Sequence, residues 1–160
     1  MSQSLVSGHR SALRQVEGSQ ACSEPSRRVS GLLFLCVANS ARSQMAEGLA
    51  RARFGNRVAV QSAGSHPGPV HRYAVAVLAE IGIDISGYRS KHVDTIDPAS
   101  VGTVITLCAE AVCPVFLGHA SCLAWPLPDP ACAEGSTEAQ LARFRLARDE
   151  IARHLDQLVF

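Results

Sequence analysis

Three features of this chain point to an α/β fold: a single domain built on a four-stranded parallel sheet with helices on both faces. Leu32-Leu33-Phe34-Leu35 is a short, wholly apolar run, as in strands covered on both sides. From there to the C-terminus, strand-like runs alternate with stretches of helical period, which is the pattern of successive βα units. Finally, 160 residues that are 47% hydrophobic support one core of ordinary size and leave too little chain for two.

The elements follow in order. Residues 1–28 are rich in Ser, Gln, Gly and Arg and lack both a sustained period and an apolar signal segment. They are expected to be a flexible leader to a domain spanning 29–160, and Glu17 and Glu24 speak against an organelle-targeting role. The apolar run is the first strand and ends at Cys36. A helix is expected from Ser43 to Phe54, with Gly55 at its C-cap. A second strand begins at Arg57 and runs into Ser62-Ala63-Gly64. Val70, Ala74, Val77, Leu78 and Ile81 recur at helical spacing, so a helix is expected over 70–81 with Gly82 as its stop. Val101 to Leu107 is a third strand, Cys113 to Gly118 a short helix or turn, and Ser121 to Trp125 a fourth strand. The last helix is expected from Glu138 to Leu158. Thr137 and Gln140 would form its capping box, and Phe144, Ala147, Ile151, Leu155 and Leu158 its apolar face.

Composition narrows the function. A net charge of +1 with no basic run longer than Arg27-Arg28 offers nothing for nucleic acid or an acidic membrane. No apolar stretch approaches the length of a membrane span. Six cysteines in a chain without a secretion signal read as reduced thiols of a cytoplasmic protein rather than a disulfide framework.

The loop after the first strand concentrates the chemistry, because ligands of such sheets sit at the carboxyl ends of the strands. It reads Cys36-Val37-Ala38-Asn39-Ser40-Ala41-Arg42-Ser43. Amide groups of a tight loop and of a helix N-terminus together make a pocket for a tetrahedral oxyanion. Arg42 supplies a planar fork for two anion oxygens, and the same positive field favours the thiolate of Cys36. Ser43 can donate to that sulfur, and Asn39 can brace the loop. A cysteine and an arginine at this spacing mean little alone. Flanked by a strand, small residues, a following serine and a helix, they read as an oxyanion-attacking nucleophile.

Leu32 through Gly48, including Arg42-Ser43-Gln44-Met45-Ala46-Glu47, resembles the signature of arsenate reductases of the low-molecular-weight phosphatase superfamily. Ser62-Ala63-Gly64 and Ile83-Asp84-Ile85-Ser86 resemble the same family, and the likeness covers about residues 29–159. It implies a low-molecular-weight phosphatase-like fold. It also implies that Asp129, in Trp125-Pro126-Leu127-Pro128-Asp129-Pro130, is a general acid on a loop closing over the pocket. Phosphatases of this fold often follow the Asp-Pro with tyrosines, whereas Ala131-Cys132 stands here.

Cys108 and Cys113 resemble the second and third cysteines of the thioredoxin-linked reductases. The resemblance implies a three-thiol relay. Cys36 attacks arsenate, Cys108 releases arsenite by forming a disulfide with Cys36, and Cys113 takes over the bond to Cys108. Residues five apart in a helix rise about 7.5 Å, beyond the ~6.8 Å a disulfide tolerates between Cα atoms. The 108–113 segment must therefore leave helical geometry to close the last bond. Cys22, Cys122 and Cys132 are read as incidental.

Some family members carry an acid at Ser90-Lys91 that helps hold potassium with the equivalents of Asn39, Glu47 and Ser62. Lys91 is itself a cation, so no metal is expected. The implied substrate is arsenate. The implied electron source is thioredoxin, or glutaredoxin with a low-molecular-weight thiol, acting on a monomer with no bound cofactor. Two alternatives stay open: hydrolysis of phosphotyrosine or small phosphomonoesters, and a non-catalytic oxyanion- or arsenite-binding thiol sensor.

Overall fold

The computed structural model describes residues 31–109 and 118–160. The leader 1–28 with Cys22, and Cys113 with the segment to Leu117, lie outside the described residues. The strands are β1 (Gly31–Cys36), β2 (Val60–Gly64), β3 (Val101–Cys108) and β4 (Ser121–Leu127). The helices are α1 (Arg42–Phe54), α2 (Arg72–Ala79) and α3 (Thr137–Asp156), with 3-10 turns at Gly55–Arg57, Val93–Thr95 and Pro98–Ser100.

All strand pairs are parallel, in the order β2-β1-β3-β4. The chain moves one way from β1 to β2, then crosses back over β1 to β3. The carboxyl ends of β1 and β3 therefore face a crevice where the winding reverses. Leu35 pairs with Ala63 and Thr106, which sets Cys36 at that crevice with β2 and β3 on either side.

Alternation along β1 divides the core. Leu32 and Phe34 join the larger cluster with Met45, Leu49, Val77, Leu78, Phe144, Ile151 and Leu155, so α1, α2 and α3 share one face. Leu33 and Leu35 face a smaller cluster, covered by Ile96 and Val93 from the connection that carries the 3-10 turns. Every residue of β1 is buried, as its unbroken apolar pattern requires.

The element boundaries show which local interactions the hydrophobic period does not report. Gly55 closes α1 as expected, at φ 56°, but the chain continues as a 3-10 turn to Arg57 and β2 begins only at Val60. α1 begins one residue early, at Arg42. α2 is shorter than 70–81, because the His71 imidazole accepts the amide of Tyr73 at 3.1 Å and caps the helix there. Its other end closes in a Schellman turn: Ile83 N–H donates to Leu78 O at 3.0 Å around Gly82, whose φ is 81°. Ile81 thus leaves the apolar face and is 49% exposed. α3 is capped by Ser136, which accepts the amide of Ala139 at 3.1 Å, in place of Thr137. Gln140 instead donates to Gly135 O at 2.9 Å. β4 runs on to Leu127, and Trp125 and Leu127 are its buried residues.

Candidate active site

The loop from Cys36 to Ser43 is shaped by where its carbonyls go. Val37 O accepts from His66 N–H, Ala38 O from Gly68 N–H and Ser40 O from His71 N–H, at 2.9, 2.9 and 2.8 Å. Asn39 O accepts from Gln44 Nε2 and Ser90 Oγ at 3.0 and 2.6 Å. Peptide units are planar, so carbonyls tied outward turn the amides of the same units inward. One of these amides, Asn39 N–H, donates to Cys36 Sγ at 3.2 Å. Asn39 itself sits at φ 46°, a conformation asparagine tolerates better than most residues. Gly64 makes the close approach of β2 possible, since a Cβ there would lie 2.4 Å from Val37 O and 2.9 Å from Asn39 N.

A buried polar network then sets the direction of the bond to sulfur. Asn39 Oδ1 accepts from Lys91 N–H at 2.8 Å and Gln44 Nε2 at 3.1 Å, so its amide nitrogen faces the other way. That nitrogen donates to Ser43 Oγ at 2.8 Å and to Ser62 Oγ at 2.9 Å. Ser62 Oγ in turn donates to Glu47 Oε2. Ser43, already an acceptor, has its proton for Cys36 Sγ, 2.8 Å away. Cys36 is 3% exposed, and its sulfur lies within hydrogen-bond reach of both the Ser43 hydroxyl and the Asn39 amide. Glu47 is buried, and Arg51 at 2.7 Å and Lys91 at 3.6 Å offset its charge.

Arg42 is buried under the loop. Its Nη1 donates to Leu127 O at 2.9 Å and lies 3.5 Å from Leu107 O, so it bridges the ends of β4 and β3. Its Nη2 lies 3.9 Å from Asp129 Oδ2. The other oxygen of Asp129 accepts the amide of Ala131 at 2.9 Å in a local turn. Cys36, Val37, Ala38, Ser40, Ala41, Arg42 and Asp129 line a cavity of about 260 Å³. A larger cavity, about 490 Å³, lies on the far side of Asp129 against α3 and has no nucleophile in its wall.

Of the residues expected from the sequence, Cys36, Val37, Ala38, Ser40, Ala41, Arg42 and Asp129 line this cavity, while Asn39 and Ser43 are buried and bonded to Cys36 Sγ. Cys108 is buried at the end of β3, opposite Leu127 and two residues beyond Thr106, the partner of Leu35. Cys113 is outside the described residues. Cys122 and Cys132 are exposed. Sequence reasoning missed three supports: Gln44, His71 and the close approach at Gly64. A histidine before a helical run is a weak capping signal, and a glutamine in a first turn carries none. The His71 pKa lies below its ordinary value, chiefly through burial and then the charge of Arg72, against the opposing pull of Asp129.

Among proteins of known identity, the arsenate reductase of Bacillus subtilis (strain 168) is 39% identical over 128 residues, covering 79% of this chain and 92% of that one. The glutaredoxin arsenate reductase of Synechocystis sp. is 34% identical over 130 residues, covering 80% and 95%. A solved structure of an arsenate reductase in the reduced state superposes with a TM-score of 0.67 at 31% identity, covering 81% of this chain and 96% of that one. The family model described as low molecular weight phosphotyrosine protein phosphatase matches residues 31–159, the whole of the sheet, its helices and the Cys36 loop. With the Cys36 loop at the reversal point of a 2-1-3-4 sheet, this match over most of the chain makes the protein a member of the low molecular weight phosphotyrosine protein phosphatase family.

Proposed function

We propose that this chain reduces arsenate to arsenite in the cytoplasm, by a three-thiol relay that begins at Cys36. The observation that carries the reading is the pairing of a small cavity with a second thiol. The cavity wall is Val37, Ala38, Ser40 and Ala41 rather than aromatic, which suits a tetrahedral inorganic anion. Cys108 stands at the end of the neighbouring strand.

In the first step the Cys36 thiolate bonds to arsenic, and Asp129 protonates the oxygen that leaves as water. Arg42 and the inward amides hold the remaining oxygens. In the second, the Cys108 thiolate attacks Cys36 Sγ. The S–As bond breaks with its electron pair going to arsenic, which leaves as arsenite in the trivalent state. In the third, the Cys113 thiolate attacks Cys108, freeing Cys36 and forming a disulfide that an external dithiol reduces. Two thiols thus supply the two electrons. Thioredoxin, or glutaredoxin with a low-molecular-weight thiol, is the proposed reductant, and the word glutaredoxin in the name of the Synechocystis relative supports the second. Lys91, 3.6 Å from Glu47, supplies the positive charge there, so no metal is invoked.

Arsenate-dependent oxidation of NADPH, with thioredoxin and its reductase against glutathione and glutaredoxin, tests the reading. Cys108→Ser abolishes turnover if the relay operates. Phosphatase chemistry is the second reading, because a cysteine, an arginine and an aspartate around one small cavity suit tetrahedral phosphate as well as arsenate. Full hydrolysis of an aryl phosphate without any arsenate turnover would establish it in place of the first.

A further inference from the structure

The turn that carries Asp129 is thinly supported. Pro130 is buried, but residues 131–135 are exposed. Its internal bonds, Ala131 N–H to Asp129 Oδ1 at 2.9 Å and Cys132 N–H to Asp129 O at 3.3 Å, shape the turn without fixing where it points. Arg143 on α3 ties it to the body of the protein. Its Nε donates to Pro130 O at 3.5 Å, and its Nη2 to Ala133 O at 2.5 Å and Glu134 O at 3.4 Å. One planar guanidinium therefore gathers three carbonyls spread over five residues.

The next residue fixes the other end of this link. Phe144 is fully buried, with its ring centroid 4.7 Å from that of His71 and 5.8 Å from that of Tyr73. The His71 amide holds Ser40 O of the anion loop at 2.8 Å. The same turn of α3 thus references the acid turn through Arg143 and the nucleophile loop through Phe144. Arg143 lines the larger cavity on the far side of Asp129, not the Cys36 cavity.

We propose that Arg143 is a positioning residue for the general acid, setting the reach of the Asp129 carboxyl to the oxyanion bound at Cys36. The proposal rests on the reading of Asp129 as that acid. Arg143 acts on the proton-transfer step and not on anion binding, which belongs to the loop and Arg42. A lysine keeps the charge but offers no fork to bridge the carbonyls, so it replaces only part of the function.

A double-mutant cycle tests this, with kcat and KM measured for both arsenate and an aryl phosphate. Arg143→Met lowers kcat about tenfold with KM within about twofold, the pattern of a misplaced acid rather than a lost binding group. Asp129→Asn removes the acid outright, and in that background Arg143→Met costs less than about a further twofold. Arg143→Lys falls between wild type and Arg143→Met, and carries the same cycle should the methionine variant not fold. An equal loss in both backgrounds, a change confined to KM, or no loss overturns the proposal. A wild-type enzyme silent toward arsenate sinks the reductase reading instead, and the aryl phosphate cycle still decides the role of Arg143.

Discussion

Ser43 has one proton to give, and its neighbours decide where it goes. Asn39 donates to it at 2.8 Å, leaving Cys36 Sγ as its acceptor. Hydrogen bonds to a charged group are worth about 1.5–3 kcal/mol. Ser43→Ala is therefore expected to slow the Cys36 step roughly ten- to a hundredfold, read from the rate of thiol alkylation and single-turnover arsenite release. Gly64→Ala acts by sterics, because its Cβ meets backbone at 2.4 Å where no side chain can yield. The anion loop must shift, and phosphate protection of Cys36 from alkylation should weaken by an order of magnitude or more, since misplacement near 1 Å costs about a hundredfold. Lys91 leads to a test by ion. With its ammonium 3.6 Å from Glu47, turnover is expected to be flat when sodium is exchanged for potassium at constant ionic strength. A strong rise with potassium would remove the lysine from that role.

Side-chain caps start α2 and α3, and the cap of α2 is a titratable histidine. His71 Nδ1 must be unprotonated to accept the Tyr73 amide at 3.1 Å, and the ring is packed on Phe144. Burial and Arg72 hold its pKa below the ordinary 6.5, while Asp129 pulls the other way. A group whose folded pKa is depressed in this way favours the folded state when neutral. Its contribution is complete above the unfolded value and is lost as pH falls from 6.5 down through the folded one. His71→Asn keeps a capping acceptor without the titration. Melting temperatures from pH 7.5 to 5 should then fall less steeply for the variant than for the wild type, and parallel curves would count against the role. The strands were easier to read than these caps. Leu32 to Leu35 are apolar because both faces of β1 are covered, so the run is unmistakable. The ends of α2 and β2 depend on a histidine cap and a 3-10 turn, which leave no hydrophobic period behind.

For the chain as a whole, the sheet order turns separate motifs into one site. Cys36, Cys108 and Asp129 lie on or just after the ends of β1, β3 and β4, Ser62 lies two residues before the end of β2, and the parallel order gathers all four ends on one side. The proposed relay makes this testable through redox trapping. In a Cys113→Ser variant given one equivalent of arsenate, the Cys36–Cys108 disulfide should accumulate and be found by mass spectrometry of non-reduced peptides. Accumulation of a Cys36 adduct without that disulfide would break the relay at its second step. The pattern of residues was enough to read the α/β sheet and to nominate an oxyanion loop at Cys36, while the resemblance to a known family nominated Asp129 as an acid. The first two rest on short-range regularities, apolar runs and a Cys and Arg spaced between a strand and a helix. The closeness of Gly64 to Val37 O and the hold of Arg143 on the Asp129 turn were not legible. These arise between residues up to 27 positions apart in the chain, whose contact depends on packing and leaves no periodic trace in the sequence.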